Sequence, residues 1–132
     1  MAHILLVEDD SDQREIRRLL FERGGHAICE AASAAKAVKL AERSRPDVVV
    51  MDLRLPSADE GCALIRSLAA LEPELPIVVL TGFPDDLLGK EEASLVREIV
   101  RKPCRSRQLL ALVSRFCPAV LCLSLAAGSA VA

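Results

Sequence analysis

Aromatic residues are nearly missing from this chain: three Phe, no Trp and no Tyr in 132 residues. Stacking of bases on aromatic side chains is how single-stranded nucleic acid is gripped without sequence preference, and the composition does not supply it. No sign of charge dominates. Seventeen Lys and Arg stand against nineteen Asp and Glu, a formal −2. There is no broad basic field for a phosphate backbone and no zinc-finger or basic-helix pattern, so direct nucleic-acid binding is not expected. Paired cysteines are also missing. Cys29, Cys62, Cys104, Cys117 and Cys122 are scattered, odd in number and form no CxxC. A disulfide framework or zinc site needs closer or paired spacing, so they read as reduced thiols serving as small apolar residues in a cytoplasmic protein. No basic segment precedes a long apolar stretch at the amino terminus, which argues against a signal peptide. No Gly-rich loop follows the first apolar run, which disfavours a nucleotide-binding α/β domain.

What is present is an alternation of short apolar runs with helical patterns. His3–Val7 reads as a buried strand ending at Glu8-Asp9-Asp10. Ser11 or Asp10 caps a helix whose apolar face is Ile16, Leu19 and Leu20, stopped by Gly24-Gly25. His26–Ala31 suggests a shorter strand. Ser33 opens an Ala-rich helix to about Ser44, with Ala34, Val38 and Ala41 on one face, and Pro46 ends it. Val48–Met51 is an apolar run suited to a strand covered on both faces, and it ends at Asp52. A helix from roughly Gly61 to Leu71, a strand Ile77–Leu80 ending at Thr81, and a short helix somewhere within Asp85–Val96 follow. A strand Glu98–Val100 then leads to Arg101-Lys102-Pro103. The last helix, about Ser106–Phe116, buries Leu109, Leu112, Val113 and Phe116. Such alternation calls for an α/β fold with a parallel sheet and helices on both faces.

Right-handed crossovers place the carboxyl ends of all the strands along one edge, where open α/β folds bind ligands. Glu8/Asp9, Asp52, Thr81 and Lys102 each stand just past a strand and so converge there. Crowded carboxylates repel unless a cation neutralises them, and an oxygen-only set completed by water and phosphate suits magnesium. A lysine and a hydroxyl add a point charge and a donor for phosphoryl oxygens, and Asp52 supplies a carboxylate nucleophile. Individually each feature has a plainer meaning. The acidic trio could be a capping cluster, Lys102 a surface residue, and Thr81 ordinary strand chemistry. His3 and His26 suggest no metal site and have no assigned role.

In order and near-normal spacing, the stretches Ile4–Asp10, Val50–Pro56, Leu80-Thr81-Gly82 and Lys102-Pro103 resemble the receiver domains of bacterial two-component response regulators, over residues 3 to about 116. The resemblance implies a doubly wound, flavodoxin-like five-stranded sheet of order 2-1-3-4-5. It implies Asp52 as phosphoacceptor and magnesium bound directly by Asp9 and Asp52. Glu8 would bind the ion mostly through water, and the backbone carbonyl of Arg54 would complete the protein ligands. Thr81 and Lys102 would hold the phosphoryl group, the Lys102–Pro103 bond would be cis, and Gly82 would keep space beside Thr81. The implied partners are a sensor histidine kinase or histidine phosphotransfer protein, and an unknown downstream protein target.

The chain departs from that family pattern in three places. The Gly usually about eight residues after the phosphoacceptor is Gly61, nine after. The aromatic switch residue three before the lysine is Ile99, so an aromatic rotamer flip cannot report phosphorylation there. The segment Pro84–Gly89 carries a proline and a glycine and should be labile. Arg54 and Phe83 would flank the phosphoryl group, with Phe83 screening it from water. Pro118–Ala132 carries no charge; with 15 residues, many of them small, it falls short of a span of ~20. Membrane association is not expected; the tail is expected to dock on the domain or on a second copy, which leaves a homodimer open, with disorder as the next alternative. With 1–117 taken as the receiver, no residues remain for a further output domain, and signalling is expected through protein contacts. Two rivals stand beside this reading. A haloacid-dehalogenase-like phosphohydrolase needs a second Asp where Arg54 stands, so at most self-phosphorylation and self-dephosphorylation are expected as activity. The other is a phosphorylation-independent docking module of the same fold.

Overall fold

The computed structural model describes residues 1–117; the tail 118–132 lies outside the described residues. Five parallel strands form one sheet: β1 (His3–Val7), β2 (Ala27–Ala31), β3 (Val48–Asp52), β4 (Ile77–Thr81) and β5 (Glu98–Arg101). Their order is β2-β1-β3-β4-β5, the doubly wound arrangement. Every residue of β3 and β4 is buried, which is why those strands read as unbroken apolar runs.

Alternate residues of the strands feed two separate cores. Leu5, Val7, Val49, Met51, Ile77 and Val79 point to one face. There they meet α2 (Ala34–Ser44) through Ala37 and Ala41, and α3 (Ala58–Leu71) through Leu64, Ile65 and Leu68. Ile4, Leu6, Val48, Val50, Val78 and Leu80 point the other way, against Phe21 of α1 (Ser11–Arg23) and Leu109, Leu112 and Val113 of α4 (Ser106–Ser114). Full burial of one such side chain contributes about 1.5–3 kcal/mol, so these two layers dominate the stability of the sheet.

Several sequence expectations need correction. Of the apolar face expected for α1, Leu20 packs against the core, but Ile16 is 66% and Leu19 44% exposed. The inward stripe is Arg14, Arg17, Arg18 and Phe21, spaced i, i+3, i+4, i+7. Arginine stems cover apolar surface while their heads reach acids, and apolar periodicity does not register this. Helix α3 starts at Ala58, a turn earlier than expected, because Ser57 caps it by accepting from the Glu60 N–H at 3.3 Å. Between β4 and β5 there is no α-helix but two 3-10 turns, Pro84–Leu87 and Glu91–Ser94. Pro84 opens the first, and Gly89, at φ 75°, separates them. The helix end at Gly24-Gly25 stands as expected, with Gly25 at φ 86°.

Candidate functional site

The carboxyl edge of the sheet gathers its polar residues through backbone ties. The Leu53 N–H donates to the Leu80 carbonyl at 3.2 Å, and the Lys102 N–H to the Thr81 carbonyl at 2.8 Å. These bonds bring the ends of β3, β4 and β5 level, so Asp52, Thr81 and Lys102 share one rim. Gly61 holds the same rim from outside. A Cβ there would stand 1.6 Å from the Leu53 carbonyl oxygen, so only glycine lets α3 approach the end of β3. The supposed crowding at Gly82 is not present: a Cβ there meets nothing within 4 Å.

Asp52 is 9% exposed, and its Oδ2 accepts from Lys102 Nζ at 2.5 Å. Its Oδ1 accepts from the Arg54 N–H at 3.3 Å. Thr81 is buried, and its Oγ1 accepts from the Phe83 N–H at 2.9 Å, leaving the hydroxyl proton to donate. Glu8 is 2% exposed. Burial first, and the neighbouring Asp52 carboxyl second, push its carboxyl up to about 7, while the Asp10 N–H and, more weakly, Arg17 pull it back. Like unit charges about 4 Å apart repel by about 4 kcal/mol at an effective permittivity of about 20, so two such acids must share a proton or a cation. Here the cations are side chains: Lys102 on Asp52, and Arg17 Nη1 on Glu8 Oε2 at 2.6 Å. Composition and periodicity did not single out Arg17; its signal was the arginine spacing on α1.

The acidic trio divides its work. Asp10 is the helix cap, its Oδ1 accepting from the Asp12 and Gln13 N–H groups at 2.9 and 3.2 Å. Asp9 is exposed at the tip of β1 and takes no part in that cap. Among the described residues no three His, Cys, Asp or Glu side chains converge as a preassembled metal cage. The donor chemistry nonetheless fits a hard dication: buried carboxylates from two strand ends, with no nitrogen or sulfur ligand beside them and a surplus of negative charge. The Lys102–Pro103 bond is cis, as expected, and Leu55–Pro56 is cis as well.

Arg54 and Phe83 form a clasp over the rim. The Arg54 guanidinium lies 3.8 Å from the Phe83 ring centroid and donates to Asp86 at 3.0 and 3.4 Å. Ile99, on β5, pairs with Val79 of β4 and is 38% exposed. An open groove of about 480 Å³ runs beside the rim, lined by Gln13, Ile16, Leu20, Lys102, Pro103 and Leu109. The larger cavity, about 550 Å³, lies at the opposite, amino edge of the sheet around Arg45, Pro46 and Pro76, and holds none of the convergent residues. The thiols of Cys29, Cys62, Cys104 and Cys117 are free. No helix among the described residues is long and apolar enough to cross a membrane.

Comparison with known proteins agrees with this geometry. The family model for the response regulator receiver domain matches residues 4–114. The transcriptional regulatory protein AfsQ1 of Streptomyces coelicolor is 37% identical over 114 residues, covering 83% of this chain and 48% of that protein. The chain thus spans about half, or less, of the first curated relatives it matches. Among solved structures, the CheY-like receiver domain from Methylobacillus flagellatus has a TM-score of 0.77 at 29% identity, covering 88% of this chain and 98% of that one. The response regulator protein TrrA from Thermotoga maritima, solved in complex with Mg(2+)-BeF, shares the fold. Its TM-score is 0.79 at 21% identity, covering 89% of this chain and 100% of that one. The order of strands, the buried aspartate at the end of β3 and the match over nearly the whole described region lead to one assignment: the chain belongs to the response regulator receiver domain family.

Proposed function

We propose that Asp52 accepts a phosphoryl group from a sensor histidine kinase or a histidine phosphotransfer protein, and that the chain then signals through protein–protein contacts. Receiver domains are signalling modules rather than enzymes in the ordinary sense, interact with histidine kinases and downstream effectors, and typically use Mg2+. The observation that carries the reading is the buried Asp52 carboxylate held by Lys102 at 2.5 Å, with Glu8 and the Thr81 hydroxyl at the same rim. In the transfer, an Asp52 oxygen bonds to phosphorus as the P–N bond of the donor's phosphohistidine breaks, and the leaving imidazole takes a proton. Lys102 stabilises the charge on the transferred group, and the Thr81 hydroxyl donates to one of its oxygens.

Asp9, Asp52 and the Arg54 carbonyl would hold magnesium, with Glu8 acting through water; the ion supplies charge neutralisation between the acids and the incoming phosphate. The groove between α1 and the Lys102–Leu109 segment opens next to the acceptor, and its exposed Ile16 suits an approaching donor protein. Self-phosphorylation from small phosphodonors, slow self-dephosphorylation and a cytoplasmic setting belong to the same reading. The test is incubation with acetyl phosphate or phosphoramidate and magnesium, followed by intact mass. Wild type gains one phosphoryl group and Asp52→Asn gains none. A metal-independent gain, or one retained by Asp52→Asn, overturns the assignment.

Ile99 in place of an aromatic, and 3-10 turns in place of a helix after β4, favour a second reading: a docking module that ignores phosphorylation. Asp52→Asn separates the two, since partner binding indifferent to that substitution supports the second.

A further inference from the structure

The two buried acids of the rim are each paired with one of the protein's own cations, Asp52 with Lys102 and Glu8 with Arg17. Arg17 is 12% exposed in its side chain and Glu8 3%. One guanidinium nitrogen donates to Glu8 Oε2 at 2.6 Å, and the other to Gln13 Oε1 at 3.1 Å. The second Glu8 oxygen accepts from the Asp10 N–H at 3.1 Å. Arg14 clamps the same residue from behind, donating to the Glu8 carbonyl at 2.8 Å. Both oxygens of Glu8 are therefore engaged, and its guanidinium partner is also held by Gln13 on α1. Arg18 and Arg14 also pair with Glu30 on β2, each at 3.5 Å, so the helix cannot swing its arginine stripe away cheaply.

We propose that Arg17 is a tethered counter-cation for Glu8 that competes with the divalent ion and sets a high magnesium threshold for the site. This inference rests on the metal-dependent phosphoacceptor reading. Its physical basis is that a dication brought to the acid cluster must either displace a largely enclosed guanidinium that Gln13 also holds or sit beside a like charge. Both weaken binding, while the same contact keeps the buried acid compensated when no metal is present. Arg17 is thus a positioning residue that acts on the ion through Glu8.

The test uses the full-length chain stripped of metal and titrated calorimetrically with magnesium chloride. Arg17→Gln, neutral and able to keep polar contacts, is expected to bind magnesium about tenfold more tightly than wild type. Arg17→Lys, which keeps the charge, should stay close to wild type. In chelator, wild type should melt at a higher temperature than Arg17→Gln, and saturating magnesium should shrink that gap, because the variant gains more from binding. If Arg17→Gln does not fold, Arg17→Met, with an apolar stem on the same helix face, takes its place. Equal or weaker magnesium affinity in the neutral variant overturns the inference alone. Absence of magnesium binding by wild type and variants alike overturns the metal-site reading and the inference with it.

Discussion

Two glycines near the rim carry opposite weights. Gly61 lies against the Leu53 carbonyl, where a Cβ has nowhere to go; Gly82 faces open space. Gly61→Ala should cost about 3 kcal/mol or more, a fall of roughly 10 °C in Tm by scanning calorimetry, because backbone must move to admit the methyl group. Gly82→Ala should leave Tm within about 2 °C, since nothing is displaced. A large loss at Gly82, or none at Gly61, would contradict the packing. Phe83 is the second residue with a definite expectation. Its ring lies under the Arg54 guanidinium, and Arg54 is held by Asp86, so the ring is pinned over the rim. Phe83→Asn should shorten the half-life of the phosphorylated protein by severalfold, read by intact mass after the phosphodonor is removed. An unchanged or longer half-life removes the screening role.

At the scale of elements, the connection between β4 and β5 differs most from its sequence reading. It is short of regular structure, yet tied down on one side. Glu92, which is buried, accepts from Arg66 of α3 at 2.7 Å, and that guanidinium holds the Glu92 carboxyl below the usual carboxylate range. Asp86 pairs with Arg54, and Leu87 is buried in the core shared with α2 and α3. Arg66→Ala should therefore accelerate amide hydrogen exchange across residues 84–96 while the amides of β3 and β4 keep their protection. Exchange that rises equally in the central strands would mean that Arg66 supports the whole fold and not this segment. Helix α1 illustrates the complementary case, an element whose boundaries follow from its cap and glycines while its rotation follows the burial of Phe21 together with the ion pairs beside it. The ion pairs to Glu8 and Glu30 turn its arginines inward and leave Ile16 and Leu19 in solvent.

For the whole molecule, stability should depend on pH through His26, which joins the start of β1 to the entry of β2. Its Nδ1 accepts from the Ala2 N–H at 2.9 Å, and Nε2 is buried without a partner among the described residues. Burial first, and the charged amino terminus second, hold its pKa below the ordinary 6.5. The unfolded chain therefore binds the proton more readily than the folded one. The stability is complete above about pH 6.5 and is lost as pH falls below it. In chelator, wild type should lose more Tm than His26→Gln between about pH 7.5 and 5.5; parallel curves would remove His26 from the account. Composition and periodicity alone sufficed for the five strands, the parallel α/β class and the placement of Glu8, Asp52, Thr81 and Lys102 at strand ends, because full burial of a strand and capping of a helix leave local marks. The strand order and the cis Lys102–Pro103 bond followed from resemblance to a family and are present in the fold. Only the tertiary structure decided that Arg17 neutralises Glu8, that Asp10 caps while Asp9 stays exposed, that Arg54 stacks on Phe83, and which of two glycines is indispensable. Those are matters of which distant groups meet across a gap of a few ångströms, and a local pattern carries no record of who lies on the other side.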